Sequence, residues 1–328
     1  MELDGAGLPD EPLRAILAAA QQPTEVAATE RLRGGSKKGV FRVRLAGGGS
    51  VVLYRWQDTE DWWQEVREGE PHPDDPFGDA SGLPRFAAGH RQLTEAGVAV
   101  PRVLLLDDTG SRLPGDVAVV EDLPGGSLEH LMAADPVAAQ PVLHRLGESL
   151  RRMAALRHPT YGTLLDAERP KTLSLPEVVL QRAVGHLDAV AGREPRIGAV
   201  AGQLRDSLLQ RAAAVRPRTG YSLVHAELGP DHVLVGAGGR PVLIDIEGLL
   251  WADAEWEHAF LELRFGDAYP LLRVPGLDPD RLQLYRLAHY LALVDGPLRL
   301  LQTDFPGREG MRAIAEWNIG RALSTLTE

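Results

Sequence analysis

A chain of 328 residues with 44% hydrophobic side chains has ample material for one large core or two modest ones. Its net charge of −11 excludes a nucleic-acid binder working through phosphate contacts, and the absence of cysteine excludes disulfides and thiol chemistry. No uncharged run approaches the ~18 apolar residues of a membrane span. The acidic start of the chain lacks the basic-then-apolar pattern of a secretory signal. A cytoplasmic protein is expected, with neither nucleic acid nor membrane among its partners.

In chain order, Pro12–Gln21 reads as a short amphipathic helix and Thr24–Leu32 as a first strand. The turn Arg33–Gly39 (Arg-Gly-Gly-Ser-Lys-Lys-Gly) leads into Val40–Leu45, whose apolar and basic residues alternate as in a half-buried strand. A glycine hairpin, Ala46–Ser50, returns as the strand Val51–Trp56, completing an antiparallel meander. The aromatic pattern of Asp58–Glu70 predicts a helix, and the Pro, Asp and Gly content of Pro71–Pro84 predicts a loop. Arg85–Ala96 is expected to be a helix ended by Gly97, with a strand beginning in Val98–Leu106. Val117–Leu128 reads as an apolar strand entering a Gly-rich linker. The apolar spacing of Val142–Leu156 is helical, as is that of Pro176–Ala191, Val200–Val215, Asp280–Leu293 and Met311–Leu323.

The most informative stretch is Leu223-Val-His-Ala-Glu-Leu-Gly-Pro-Asp-His-Val-Leu-Val235, then Pro241-Val-Leu-Ile-Asp-Ile-Glu-Gly248. Short apolar strands flank a loop carrying His225, Glu227, Asp231 and His232. The turn Gly236–Gly239 supplies glycine where positive φ is needed, and the returning strand delivers Asp245 and Glu247 at the same edge. Phosphoryl transfer needs such a pair: one carboxylate near an acceptor hydroxyl and another on a divalent cation.

These residues resemble the catalytic loop (H-G-D-L-H-P-G-N-V-L-V) and metal strand (I-D-W/F-E/D) of aminoglycoside phosphotransferases and choline kinase-like small-molecule kinases. The spacing fits without a gap, but Glu227 stands for the catalytic Asp and His232 for the metal-binding Asn. The resemblance covers about residues 24–265 and extends to Trp251-Ala-Asp-Ala-Glu-Trp-Glu257, similar to the family's W-x-D-P-x-x-D-L run. It implies an α+β, protein-kinase-like, two-lobed fold, with an N-lobe over residues 1–120 built on an antiparallel sheet and a mainly helical C-lobe over residues 121–328. The implied cofactors are ATP and Mg²⁺, and the implied acceptor is a small molecule: aminoglycoside-like, an amino-alcohol or a sugar.

By the same resemblance Glu227 orients the acceptor hydroxyl and Asp245 carries the metal with Glu247. His232 is either a second ligand or an outer hydrogen-bonding partner. His225 supports the loop, and the backbone at Glu121–Leu123 holds adenine. The family's third-strand Lys is missing, since the lysines are Lys37, Lys38 and Lys171. Arg55 is the nearest cation on that strand, although alternation sets it on the face opposite Tyr54. Lys37 or Lys38 offers another phosphate grip, in a loop where Gly34, Gly35 and Ser36 permit close backbone approach. Asp253, Glu255, Glu257 and Asp267 are expected to favour a cationic acceptor. The alternative function is a pseudokinase, a nucleotide- or ligand-binding module without phosphoryl transfer.

Overall fold

The computed structural model describes residues 8–32, 35–66, 72–78 and 80–327. Helix α1 (Asp10–Ala19) buries Leu13, Ile16 and Leu17, spaced about one turn apart. Strands β1 (Val26–Arg31), β2 (Gly39–Leu45) and β3 (Ser50–Trp56) form the expected antiparallel meander. Helix α2 (Leu83–Glu95) follows, then β4 (Val103–Asp107) and β5 (Asp116–Glu121). The antiparallel sheet runs in the order β1-β2-β3-β5-β4. Strand alternation decides its two faces. Phe41, Val43, Val51 and Leu53 pack with α1, while Val52, Tyr54 and Trp56 pack with Phe86 of α2.

One expected element differs. Of the expected helix Asp58–Glu70, the described residues 58–66 form two single 3₁₀ turns, Asp58–Glu60 and Gln64–Val66; residues 67–71 lie outside the described set. The cause is tertiary. The Glu60 carboxylate turns inward to Arg31 and Arg55, while Trp62 packs on Phe305 and Trp63 beneath Arg299. One helix face cannot satisfy anchors pulling in opposite directions.

Beyond the sheet come α3 (Leu128–Ala134) and α4 (Pro136–Ala155), then strands β6 (Arg157–His158) and β7 (Gly162–Thr163). Asp135 caps α4, accepting from the Ala138 backbone at 3.0 Å. Helices α5 (Leu175–Ala191), α6 (Pro195–Gly198) and α7 (Ala201–Ala214) precede β8 (Tyr221–Val224), β9 (Val233–Gly236), β10 (Arg240–Leu243) and β11 (Leu250–Ala252). The chain continues through α8 (Ala254–Phe265), α9 (Pro279–Leu300) and α10 (Arg308–Ser324). Strands β9 and β10 pair across the Gly236–Gly239 turn, where Gly238 and Gly239 hold φ of +66° and +72°. No helix among the described residues is long and apolar enough to cross a membrane.

A single apolar cluster runs from the underside of the sheet through α2 and α4 to Leu228, Val233, Leu243 and Ile246. The sheet and the loop strands therefore share one core, which fixes the edge carrying Asp245. At Gly89 helix α2 lies so close to this edge that an added Cβ would sit 2.6 Å from the Ile246 carbonyl oxygen. Gly89→Ala should destabilise the chain by about 1–3 kcal/mol, as overpacking does. Gly185→Ala on α5, where a Cβ meets nothing within 4 Å, should be neutral or stabilising. Urea unfolding midpoints compare the two; equal midpoints would contradict this packing.

Candidate active site

β8 delivers His225, fully buried, whose Nε2 donates to the Ile244 carbonyl at 2.9 Å. Burial pushes its imidazole down to about 4, so it is neutral and ties the loop to the strand that carries Asp245. Ala226 holds φ of +75°, a left-handed conformation disfavoured for a residue with a Cβ. Its N–H is fixed by the buried Glu257, whose Oε2 accepts at 2.7 Å. Glu227 then projects an exposed side chain while its carbonyl accepts from His232 Nδ1 at 2.8 Å. That bond makes Nδ1 the donor and sets Nε2 3.7 Å from Asp245 Oδ2.

Asp245 has φ of +59°, a left-handed residue that short polar side chains tolerate. Its Oδ1 accepts from Lys38 Nζ at 2.8 Å, and the same ammonium also donates to Glu247 Oε1. Lys38 is buried and lies over the Tyr54 ring, 5.0 Å from its centroid. Burial opposes its charge, but Asp245 and Glu247 hold the amine above its ordinary value. Burial would also raise Asp245, yet Lys38 and then His232 keep it below the usual carboxylate range. Glu247 is raised, because burial there outweighs its contact with Lys38. Its second oxygen, Oε2, is buried without a hydrogen-bond partner.

The sequence-expected residues distribute unevenly. Asp245, Glu247 and His232 stand at one edge, but no group of three or more such side chains among the described residues converges as a metal site. The Lys38 ammonium bonds both carboxylates where a cation would stand. The donor set still fits Mg²⁺: two hard carboxylates, one with an orphaned oxygen. Imidazole suits a softer metal better.

Gly34 lies outside the described residues. Gly35 packs on the Lys38 carbonyl, 2.4 Å from where a Cβ would be, and Ser36 accepts from Trp63 Nε1 at 3.0 Å. Of the two neighbouring lysines, Lys38 rather than Lys37 reaches the acidic edge. Arg55 is a correction: it pairs with Glu60 and lies against Phe41 on the α1 face, away from Lys38. At the end of β5, Glu121 accepts from the Arg102 backbone at 2.9 Å, and half-buried Leu123 follows. Between them Asp122 takes Arg42 Nε at 2.7 Å and Ser50 Oγ at 2.5 Å, bracing the strand exit.

Asp253, Glu255 and Glu257 are a second correction. They are buried, with Asp253 and Glu255 neutralised by Arg281 and Arg218, so they cannot recruit a cationic acceptor; Asp267 is exposed. Sequence reasoning also missed Glu257 as the prop of the loop. Lys38 had a usable signal: alternation in β2 sets residues 38 and 40 on the Tyr54 face, and Val40 pairs with Tyr54.

A five-stranded antiparallel sheet over a mainly helical lobe, with the loop and acidic strand between them, defines a protein-kinase-like small-molecule kinase fold. The family model for the phosphotransferase enzyme family matches residues 28–295, and the chain belongs to that family. The apo structure of a thermostable mutant of aminoglycoside phosphotransferase APH(4)-Ia superposes with a TM-score of 0.63 at 18% identity, covering 96% of this chain and 98% of that one. Spectinomycin phosphotransferase APH(9)-Ia, in complex with ADP and spectinomycin, superposes with a TM-score of 0.61 at 12% identity, covering 92% and 93%. At such identities these structures share the fold. No curated protein sequence matches the chain.

Glu257 also generates a pH prediction. Burial pushes its carboxyl up to about 7 from the ordinary 4.5, against the pull of the Ala226 and His225 N–H groups. The folded chain therefore holds this proton where the unfolded chain has lost it. The group's contribution to stability is complete below the unfolded value and is lost as pH rises through the folded one. A Gln at this position still accepts from Ala226 and has no such proton to lose. Glu257→Gln should gain stability relative to wild type from about pH 5 to about pH 8, by up to about 3 kcal/mol. Denaturant unfolding across that range measures it; a pH-independent difference would contradict the assignment.

Proposed function

We propose that the protein is an ATP- and Mg²⁺-dependent phosphotransferase that phosphorylates a hydroxyl of a small molecule. The observation that carries the reading is the Lys38–Asp245–Glu247 cluster, facing a loop with an exposed carboxylate at Glu227. Membership of the phosphotransferase enzyme family supports it, as does the ADP bound by the spectinomycin enzyme of the same fold. The proposed lobes are residues 1–120 and 121–328, and the proposed compartment is the cytoplasm. The acceptor class is aminoglycoside-like, amino-alcohol or sugar.

The roles follow from position. Glu227 receives or orients the acceptor proton; its side chain is one methylene longer than the family's Asp, and it is itself exposed, which gives it room. Backbone groups at Glu121–Leu123 hold the adenine. Asp245 and Glu247 hold Mg²⁺, with His232 Nε2 beside them. Mg²⁺ held there would supply positive charge against the phosphates. Lys38, whose ammonium bonds both carboxylates, would be the cation to grip the phosphate oxygens. In this reading it performs the task of the absent third-strand Lys.

A specific observation also favours the pseudokinase. The Lys38 ammonium already bonds one oxygen of each carboxylate, as a metal would. The two readings separate on turnover. A panel of aminoglycosides, amino-alcohols and sugars should include one that drives ADP release with Mg²⁺ and ATP. With that acceptor, Glu227→Gln should cut kcat by about 100-fold or more while leaving ATP affinity within about twofold. Bound ATP that no acceptor consumes would favour the binding module.

A further inference from the structure

One cavity lies outside the proposed active site. It encloses about 720 Å³ behind the exit of β5, among the end of α2, the Gly97–Val100 loop, α4 and the start of β10. It shares Glu121 with the proposed adenine site and none of the residues assigned to catalysis or metal.

Its charge is unusual for this chain. Arg102, Arg145, Arg152 and Arg240 line it against Glu121 and Glu148, in a protein whose net charge is −11. Among the described residues, only Arg102 of these four is drawn to a carboxylate, Glu121 Oε2 at 3.8 Å. Arg145 Nη1 donates to the Gly238 carbonyl and to that of Gly239 at 2.9 Å, and Arg152 Nη1 donates to the Gly97 carbonyl at 3.1 Å. These bonds hold the guanidinium groups in place without neutralising them. A guanidinium has five N–H donors, so Nε and Nη2 of each remain for a ligand. Arg145 and Arg152 are two turns apart on one face of α4, about 10 Å along the axis. Arg240 is exposed on the neighbouring strand, and no carboxylate pairs with it among the described residues.

We infer that this cavity binds a small molecule carrying several phosphate groups in a row. A phosphate chain matches forked guanidinium donors spaced along a helix, and a 720 Å³ concavity suits a small molecule better than a polypeptide. The walls come from both lobes: α2 and the loop before β4 on one side, α4 and β10 on the other. An occupant therefore cross-links the lobes behind their connection.

Calorimetric titration of the full chain with sodium tripolyphosphate, in EDTA to remove divalent cations, tests this. The wild type should bind one molecule per chain, more weakly as salt rises. Arg240→Glu and the pair Arg145→Ala with Arg152→Ala should each lower the affinity about tenfold or more. Lys38→Met should leave it unchanged. Arg145 and Arg152 brace neighbouring turns, so their variant is checked by circular dichroism; the Arg240 side chain is exposed and has no ion pair to lose among the described residues, and it keeps the test decisive. Absence of binding would overturn the inference. So would affinity lost in Lys38→Met but kept in Arg240→Glu, since that ligand would sit in the active site. Binding of a hexaglutamate peptide in place of tripolyphosphate would also overturn it, and would mark a docking surface for acidic segments.

Discussion

Placing an ammonium ion in a protein interior costs several kcal/mol, and only close opposite charge offsets it. Lys38 meets that requirement with two carboxylates from a segment more than 200 residues away, Asp245 and Glu247. Much of the surrounding structure serves this contact. Gly89 lets α2 approach the acidic segment, the His225 imidazole fixes the strand that ends at Asp245, and Glu257 fixes the loop beside it. The cluster joins the β1–β2 turn of the sheet lobe to the core of the other lobe. Removing Lys38 alone would leave the buried Glu247 carboxylate without its cation and beside the half-buried Asp245, so the three charges form one unit.

The same cluster accounts for two departures from the usual kinase arrangement. Kinases pair a lysine on the third strand with a glutamate on the helix behind it. Here the third strand offers Tyr54 and Trp56 on that face, and α2 offers Gly89 where it meets the acidic segment. The lysine that faces the acidic segment lies instead in the turn before β2, and the glutamate it bonds is Glu247. Tyr54 and Trp56 then form the floor beneath the ammonium, a role their rings can fill and a third-strand lysine would have displaced.

How much of this was legible in the sequence depends on how local the cause is. The stretch from residue 223 to 248 carries its own strands, turn glycines and acidic ends, so its architecture could be read directly. The alternation of β2 and β3 likewise foretold that Arg55 faces away from Tyr54. Lys37 and Lys38 could be separated by parity, but only once the start of β2 at Gly39 was known. The helix expected after β3 failed because Glu60, Trp62 and Trp63 each answer to a partner outside the segment. The acidic run from Asp253 to Glu257 looked solvent-facing because its partners, Arg218 and Arg281, lie 28 to 37 residues away in sequence and outside the run. Long-range pairing of charges leaves no periodic trace, and those were the features misread.

The central claim is that Lys38, Asp245 and Glu247 constitute a phosphate- and metal-binding unit. Calorimetric titration with ATP, with and without Mg²⁺, on the wild type and on Lys38→Met tests it most directly. The account predicts binding that strengthens with Mg²⁺ in the wild type and falls by about tenfold or more in the variant, the scale of a lost charge-assisted contact. Magnesium-dependent binding unchanged in Lys38→Met would show that another cation grips the phosphates. No binding under either condition would remove the nucleotide from the account altogether.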